Sequence, residues 1–130
     1  MQVKEGNSRL QSALGGGTLY DIGIYRINAA RYLFQDEPVK VFANRASSDD
    51  VRSSEVEEMV SANLVFQRGR LATFVCSFGA SDVSTYQIVG TRGDLVVNYA
   101  CEYSSAITHT LTIKGKEKRR TFLQERPVCP

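Results

Sequence analysis

Side chains able to hold a metal or do redox chemistry are scarce in this chain. Its 130 residues include one histidine, His109, and three cysteines, Cys76, Cys101 and Cys129. The cysteines form no C-x-x-C pair and match no metal spacing, and an odd number does not make a disulfide framework. The expectation is a reducing, cytoplasmic setting with no bound metal. No apolar run approaches the length that spans a bilayer, and the start does not carry a charged-then-apolar leader. A net charge of +2 gives no electrostatic reason for a nucleic-acid or anionic-membrane partner. Basic residues gather at Lys114, Lys116, Lys118, Arg119 and Arg120, but Glu117 interrupts them and no aromatic platform accompanies them. They read as a solvated turn. There is no internal repeat and no low-complexity tract. A G-x-G-x-x-G between strand and helix, the backbone cradle of a dinucleotide pyrophosphate, is also missing.

What the chain does have is Gly15-Gly16-Gly17-Thr18-Leu19-Tyr20-Asp21-Ile22-Gly23-Ile24-Tyr25. Three glycines in a row end any regular element and allow a tight turn. Leu19, Ile22, Ile27, Ala30, Leu33 and Phe34 then recur at helical steps, so a helix is expected over about 18–35, stopped by Pro38. Asp21 and Tyr25, four apart, should stack on one helix face. Two readings stay open. Thr18 and Asp21 fit an N-cap with its third-position carboxylate, and Tyr25 fits an amphipathic residue with a satisfied hydroxyl. Alternatively, a carboxylate and a phenol beside an open glycine turn form half of a proton-transfer site.

After the helix the pattern turns to strands. Val39–Arg45 alternates and leads to a polar loop, Ser47–Ser54, expected to be a mobile link. Glu58, Val60, Ala62, Leu64 and Phe66 share a face of the next strand. Gln67–Arg70 turns it into Leu71–Phe78, where Cys76 reads as a small core hydrophobe. Thr85–Val89 and Leu95–Tyr99 form a further hairpin. Ile107, His109, Leu111 and Ile113 line one face of the next strand, which makes His109 a core or interface residue, and Lys118–Leu123 follows. Short connections imply mostly antiparallel pairing. The expected fold is α+β, a large open sheet with one long helix packed on a face. Residues 1–17 read as an irregular lead-in, 18–123 as the domain and 124–130 as a tail, and the chain looks clipped at both ends.

Ser8-Arg9-Leu10, the Gly15–Phe34 run, Glu37-Pro38-Val39 and, less sharply, Thr85–Leu95 together resemble the second domain of the glucose–fructose oxidoreductase family. Inositol dehydrogenases and dimeric dihydrodiol dehydrogenases belong to the same family. The resemblance implies that Asp21 and Tyr25 are catalytic, Tyr25 exchanging a proton with the substrate oxygen as hydride moves. It also implies that Arg9 lies in the substrate site, although Ser8 stands where the family has tryptophan. A phenol has a reference pKa of about 10, so work near neutrality calls for a nearby cation. The family's lysine, in a Glu-Lys-Pro motif of the preceding domain, has no counterpart here: Lys4-Glu5-Gly6 has the wrong order.

The resemblance therefore implies the substrate-binding and catalytic half of an NAD- or NADP-dependent oxidoreductase for a sugar, polyol or related hydroxyl compound. The cofactor would sit mainly on an N-terminal Rossmann domain outside this chain, leaving the isolated chain inactive. It also implies a homodimer formed through the sheet. The competing reading is a non-catalytic oligomerisation or scaffold module of the same descent.

Overall fold

Three glycines followed by helical spacing should turn sharply and then wind, and the computed structural model follows that order. It describes residues 7–47, 56–100 and 105–123. The expected mobile link at 47–54 therefore lies almost wholly outside the described residues, as do Cys101, Cys129 and the tail. The lead-in is less irregular than its sequence suggests. Two short 3-10 turns, Ser8–Leu10 and Ser12–Leu14, bring the chain to the glycines. A π-helical turn, Leu19–Gly23, then opens into α1, Ile24–Phe34, which ends with Gln35 in a left-handed conformation.

The strands are β1 (Lys40–Ala46), β2 (Met59–Val65), β3 (Leu71–Ser77), β4 (Thr85–Gly90), β5 (Gly93–Asn98), β6 (Ile107–Ile113) and β7 (Lys116–Phe122). All pairing among the described residues is antiparallel, and with α1 the class is α+β. The ladders form a three-stranded sheet, β1-β2-β3, and a four-stranded sheet, β4-β5-β6-β7. These fall in two units, Met1–Ser81 and Asp82–Pro130.

In the first unit the period-two pattern decides which face is covered. Val60, Ala62 and Leu64 of β2 pair with Cys76, Phe74 and Ala72 of β3. Val60, Ala62, Leu64 and Cys76 are buried, as are Phe66 and Phe78 just beyond the strands. The π-helical turn packs on β2 and β3. There Gly23 comes so close that a Cβ would stand 3.4 Å from the Cys76 Sγ and 2.8 Å from a Leu19 methyl. Burial pushes the Cys76 thiol up, and its Thr18 neighbour draws it partly back. The opposite face is left to solvent, with Leu71 69% and Val75 62% exposed.

The far end of α1 is fixed by the β2–β3 connection. The Phe34 ring meets Phe66 edge-on at 4.9 Å between centroids. Arg70 donates from Nη1 to the Phe34 carbonyl at 2.7 Å, ion-pairs with Asp36 and lies over the Phe34 ring. A guanidinium on the last carbonyls satisfies acceptors that the helix itself leaves open and suits its dipole. Arg31 grips both oxygens of Glu37 from Nε, at 2.9 and 2.8 Å. That hydrogen bonding lowers the Glu37 carboxyl pKa, but in an exposed pair it adds little stability. Leu33, expected in the core stripe, is exposed.

In the second unit, register places Tyr86, Ile88, Leu95, Val97, Leu111 and Ile113 on one face, with Val97 fully buried. His109 shares that face, its ring 4.8 Å from that of Phe122. The other face is largely polar, with Thr85 bonded to Asn98 and Gln87 to Asp94. Of the basic residues, only Lys114 belongs to the turn, since Lys116, Lys118, Arg119 and Arg120 lie on β7, an edge strand exposed along its length. Charge on an unpaired edge discourages further strand addition.

The glycine turn is the tightest backbone in the first unit that a substitution can probe. At Gly16 a Cβ would lie 2.6 Å from the Arg9 carbonyl oxygen and 2.7 Å from that of Gln11. Both are backbone atoms that cannot rotate away. Gly16→Ala should therefore destabilise the chain by about 1–3 kcal/mol, as overpacking does. Urea unfolding measures it. The gain of about 0.4–1 kcal/mol usual for alanine at an unstrained glycine would show that the turn is looser than this.

Candidate functional site

The candidate residues converge on Gly17. Its N–H donates to the Arg9 carbonyl at 2.9 Å, and its own carbonyl accepts from the Asp21 N–H at 3.1 Å. With φ at +120° it holds a conformation that L side chains rarely adopt, and its missing side chain leaves room for Glu57, whose Oε1 lies 2.6 Å from the Cβ position. One residue thus carries both Arg9 and Asp21 on its backbone. The side chains then meet: Arg9 Nε lies 3.2 Å from Asp21 Oδ1, with both groups partly exposed. Sequence spacing gave no sign of this pairing, because it depends on how the 3-10 turns return the chain to the helix.

The helix start differs from the expected cap. Thr18 already has helical angles and makes no capping hydrogen bond. It is fully buried, and its Oγ1 has no hydrogen-bond partner of good geometry beside the soft Cys76 thiol. The cap is Glu57, which lies 38 positions away in sequence and whose Oε1 accepts from the Leu19 N–H at 3.1 Å. Its main-chain carbonyl accepts from the Thr18 N–H at 3.5 Å. The carboxylate expected at a helix start is present, but from the lead into β2. Asp21 is left to face Arg9. Nothing local separates Glu57 from a surface charge, which is why the sequence pattern missed it.

Tyr25 lies on α1, 60% exposed, just past the π-helical turn that contains Asp21. In that turn Ile24 N–H reaches back five residues to the Leu19 carbonyl. The wider winding ends at Gly23, two residues before Tyr25. A cleft of about 610 Å³ opens beside the glycine turn, lined by Ser12, Gly15, Gly16, Tyr20, Arg45 and Glu57 among others. Neither Asp21 nor Tyr25 lines it, although Tyr20 and Glu57 adjoin the turn that holds Asp21.

A glycine-rich turn before a helix invites the question of whether it cradles a dinucleotide. Gly15 N–H donates to the Ser12 carbonyl at 3.1 Å and Gly16 N–H to that of Gln11 at 2.9 Å, while Gly17 is spent on Arg9. The next two amides go to Glu57. Five consecutive donors are engaged, and a carboxylate stands where a phosphate would need to be. The turn does not fit the pyrophosphate of NAD or NADP. Among the described residues no group of three His, Cys, Asp or Glu side chains could hold a metal ion, and no helix is long and apolar enough to cross a membrane.

The chain is similar to known proteins along most of its length. The family model for the GFO/IDH/MocA C-terminal domain matches residues 1–96. An uncharacterised oxidoreductase of Rhizobium meliloti is 42% identical over 81 residues, 62% of this chain and 23% of that protein. D-xylose 1-dehydrogenase (NADP(+)) 2 of Haloferax volcanii is 30% identical over 116 residues, 88% of this chain and 34% of that enzyme. Among solved structures, the aldose-aldose oxidoreductase of Caulobacter crescentus, complexed with glycerol, superposes with a TM-score of 0.83 at 31% identity, over 99% of this chain and 38% of that one. The chain thus spans between about a quarter and two fifths of the length of these relatives. The family model covers well over half of the chain, which belongs to the GFO/IDH/MocA family of oxidoreductases and matches its C-terminal domain.

Proposed function

We propose that this chain is the substrate-binding and catalytic part of an NAD- or NADP-dependent oxidoreductase acting on a sugar, a polyol or a related hydroxyl compound. The observation that carries the reading is the Arg9–Asp21 pair built on Gly17, with Tyr25 exposed nearby. In water such a pair contributes only about 0–1 kcal/mol to stability, so holding it in place with a strained glycine makes better sense as site construction. Tyr25 would exchange the proton of the substrate hydroxyl, and a phenol with that task must be reachable from solvent, as this one is. Asp21 would orient the hydroxyl or the phenol, and Arg9 would hold Asp21 and face the substrate. Relatives named as a D-xylose dehydrogenase and an aldose-aldose oxidoreductase favour a carbohydrate-like substrate.

NAD or NADP would bind mainly on an N-terminal Rossmann domain outside this chain, in keeping with the spent amides of the glycine turn. The purified chain should accordingly show no saturable binding of NADPH in a fluorescence or calorimetric titration. Micromolar affinity would overturn that division of labour.

The test of the site is made in an enzyme that carries this chain joined to its nucleotide-binding domain. Tyr25→Phe removes one exposed hydroxyl and should leave folding intact. It should lower kcat by about 10²–10⁴-fold, the usual consequence of losing a general acid–base group. Asp21→Asn should impair turnover as well. Turnover near wild type in Tyr25→Phe would return that residue to a structural role.

We further propose a cytoplasmic homodimer formed through a sheet. Leu71, Val75, Phe42 and Met59 lie exposed on the outer face of β1-β2-β3, and Leu111, Ile113 and Phe122 lie exposed in the second unit. Contiguous apolar surface beyond a few hundred Å² is unusual on a monomer, and two-fold pairing is the simplest closed way to cover it. Sedimentation equilibrium at micromolar concentration should give twice the mass of the chain. A mass near 14.4 kDa throughout would overturn the dimer.

A further inference from the structure

We propose that Glu57 is the positioning residue of the site, acting through Gly17 and Leu19 on the Arg9–Asp21 pair. The inference rests on the functional reading above only for its catalytic consequence, since the mechanical claim concerns this chain alone. Three contacts converge on Glu57. Its carboxylate accepts from the Leu19 N–H, the first amide of the π-helical turn that contains Asp21. It also occupies the space that the missing Gly17 side chain leaves open. Its main-chain carbonyl receives the Thr18 N–H. Gly17 in turn binds the main chains of both Arg9 and Asp21. Glu57 itself lies two residues before β2, and Glu58, between it and the strand, is tied into the sheet at both main-chain groups, to the Ala46 carbonyl and the Phe78 N–H.

The consequence is a rigid link. The sheet holds Glu57, Glu57 holds the first helical amide and the glycine turn, and the turn sets the distance between the Arg9 guanidinium and the Asp21 carboxylate. A partly exposed ion pair has too little energy of its own to fix that distance. Without Glu57 the Leu19 N–H loses its acceptor, the turn relaxes, and Arg9 and Asp21 separate into water. Glu57 touches none of the groups proposed to react, so its effect on turnover would come only through position. Gln at 57 keeps a carbonyl oxygen of the same reach and should preserve the link, which separates capping geometry from charge.

The experiment is NMR on the purified chain, comparing wild type with Glu57→Gln and Glu57→Ala. The signals followed are the Leu19 amide, the Arg9 Nε–Hε and the Asp21 side-chain carboxyl carbon. In Glu57→Ala the Leu19 amide proton should move upfield, and Arg9 Hε exchange with water should accelerate roughly five- to tenfold, as expected for the loss of one ordinary hydrogen bond. Asp21 should shift with them. Glu57→Gln should restore all three signals towards wild type. Unchanged Arg9 and Asp21 signals in Glu57→Ala, or a Glu57→Gln spectrum as disturbed as that of alanine, would overturn the proposal. If Glu57→Ala does not fold, Glu57→Asp, shorter by one methylene, replaces it: the same three signals should move, and unchanged Arg9 and Asp21 signals would again overturn the link. Because the readout is independent of turnover, a silent Asp21→Asn in the enzyme assay would overturn the catalytic reading while leaving this link standing. Coupled NMR shifts with full activity in Glu57→Ala would likewise separate the two.

Discussion

Both ends of the helix are held by the segments that flank the middle strand, and the rest of the first unit depends on that clamp. At the start, Glu57 sits on the Leu19 amide just before β2 begins. At the finish, Arg70 takes the Phe34 carbonyl just after β2 has ended and the chain has turned. A carboxylate at the positive end of the helix and a guanidinium at the negative end each oppose the local sign of the macrodipole. Each also satisfies a backbone group that the helix cannot pair internally. Between them the middle strand offers Val60, Ala62 and Leu64 as a dry surface, and Phe66 closes the row against Phe34. The helix contributes no fully buried side chain of its own beyond the π-helical turn, so burial along α1 holds it only weakly. The end clamps and the Gly23 contact must therefore fix its place.

The strands were legible from the sequence because their signal is local. Alternation along 58–66 and 71–78 assigns the inner and outer faces correctly, since a one-residue error in strand register would invert every side chain. Antiparallel pairing followed from the short connections. The helix was legible in extent, but its first turn was not. An N-cap is assigned from the nearest suitable side chain, and Thr18 has the right chemistry in the right place. The competing demand was packing: Gly23 approaches Cys76, Thr18 is drawn into the core beside it, and the capping role passes to Glu57, 38 positions beyond Leu19. The same tertiary packing leaves Asp21 out of the capping role, with its side chain facing Arg9. Local spacing could nominate Arg9, Asp21 and Tyr25 separately only through family likeness. It could not show that Gly17 joins two of them.

Glycine-rich turns before helices are familiar as phosphate cradles, and this one shows why sequence context decides between uses. A cradle needs amide protons pointing outward into a concavity and a helix start free of negative charge. Here the preceding 3-10 turns fold back so that the carbonyls of Arg9, Gln11 and Ser12 consume the glycine amides. The glycines serve close backbone approach, and what they bring close is another stretch of the same chain. With its amides engaged, the turn shapes the wall of a polar cleft.

The π-helical turn concentrates these constraints in five residues, Leu19–Gly23. A π turn has poorer packing than an α turn and persists where its surroundings over-determine it. Its inner side is bound by Gly23 against Cys76, its first amide by Glu57 and its third by Gly17. Its outer side carries Tyr20 and Asp21 towards solvent. Asp21 itself still bonds four residues back to Gly17, the ordinary helical step, and the wider step comes only where Ile24 reaches back to Leu19. A sequence selected for stability alone would have little reason to keep three glycines, a buried Thr18 hydroxyl with only a soft thiol beside it and a distant carboxylate cap in one short segment. Their coincidence around Asp21 is the physical argument for treating this turn as a site.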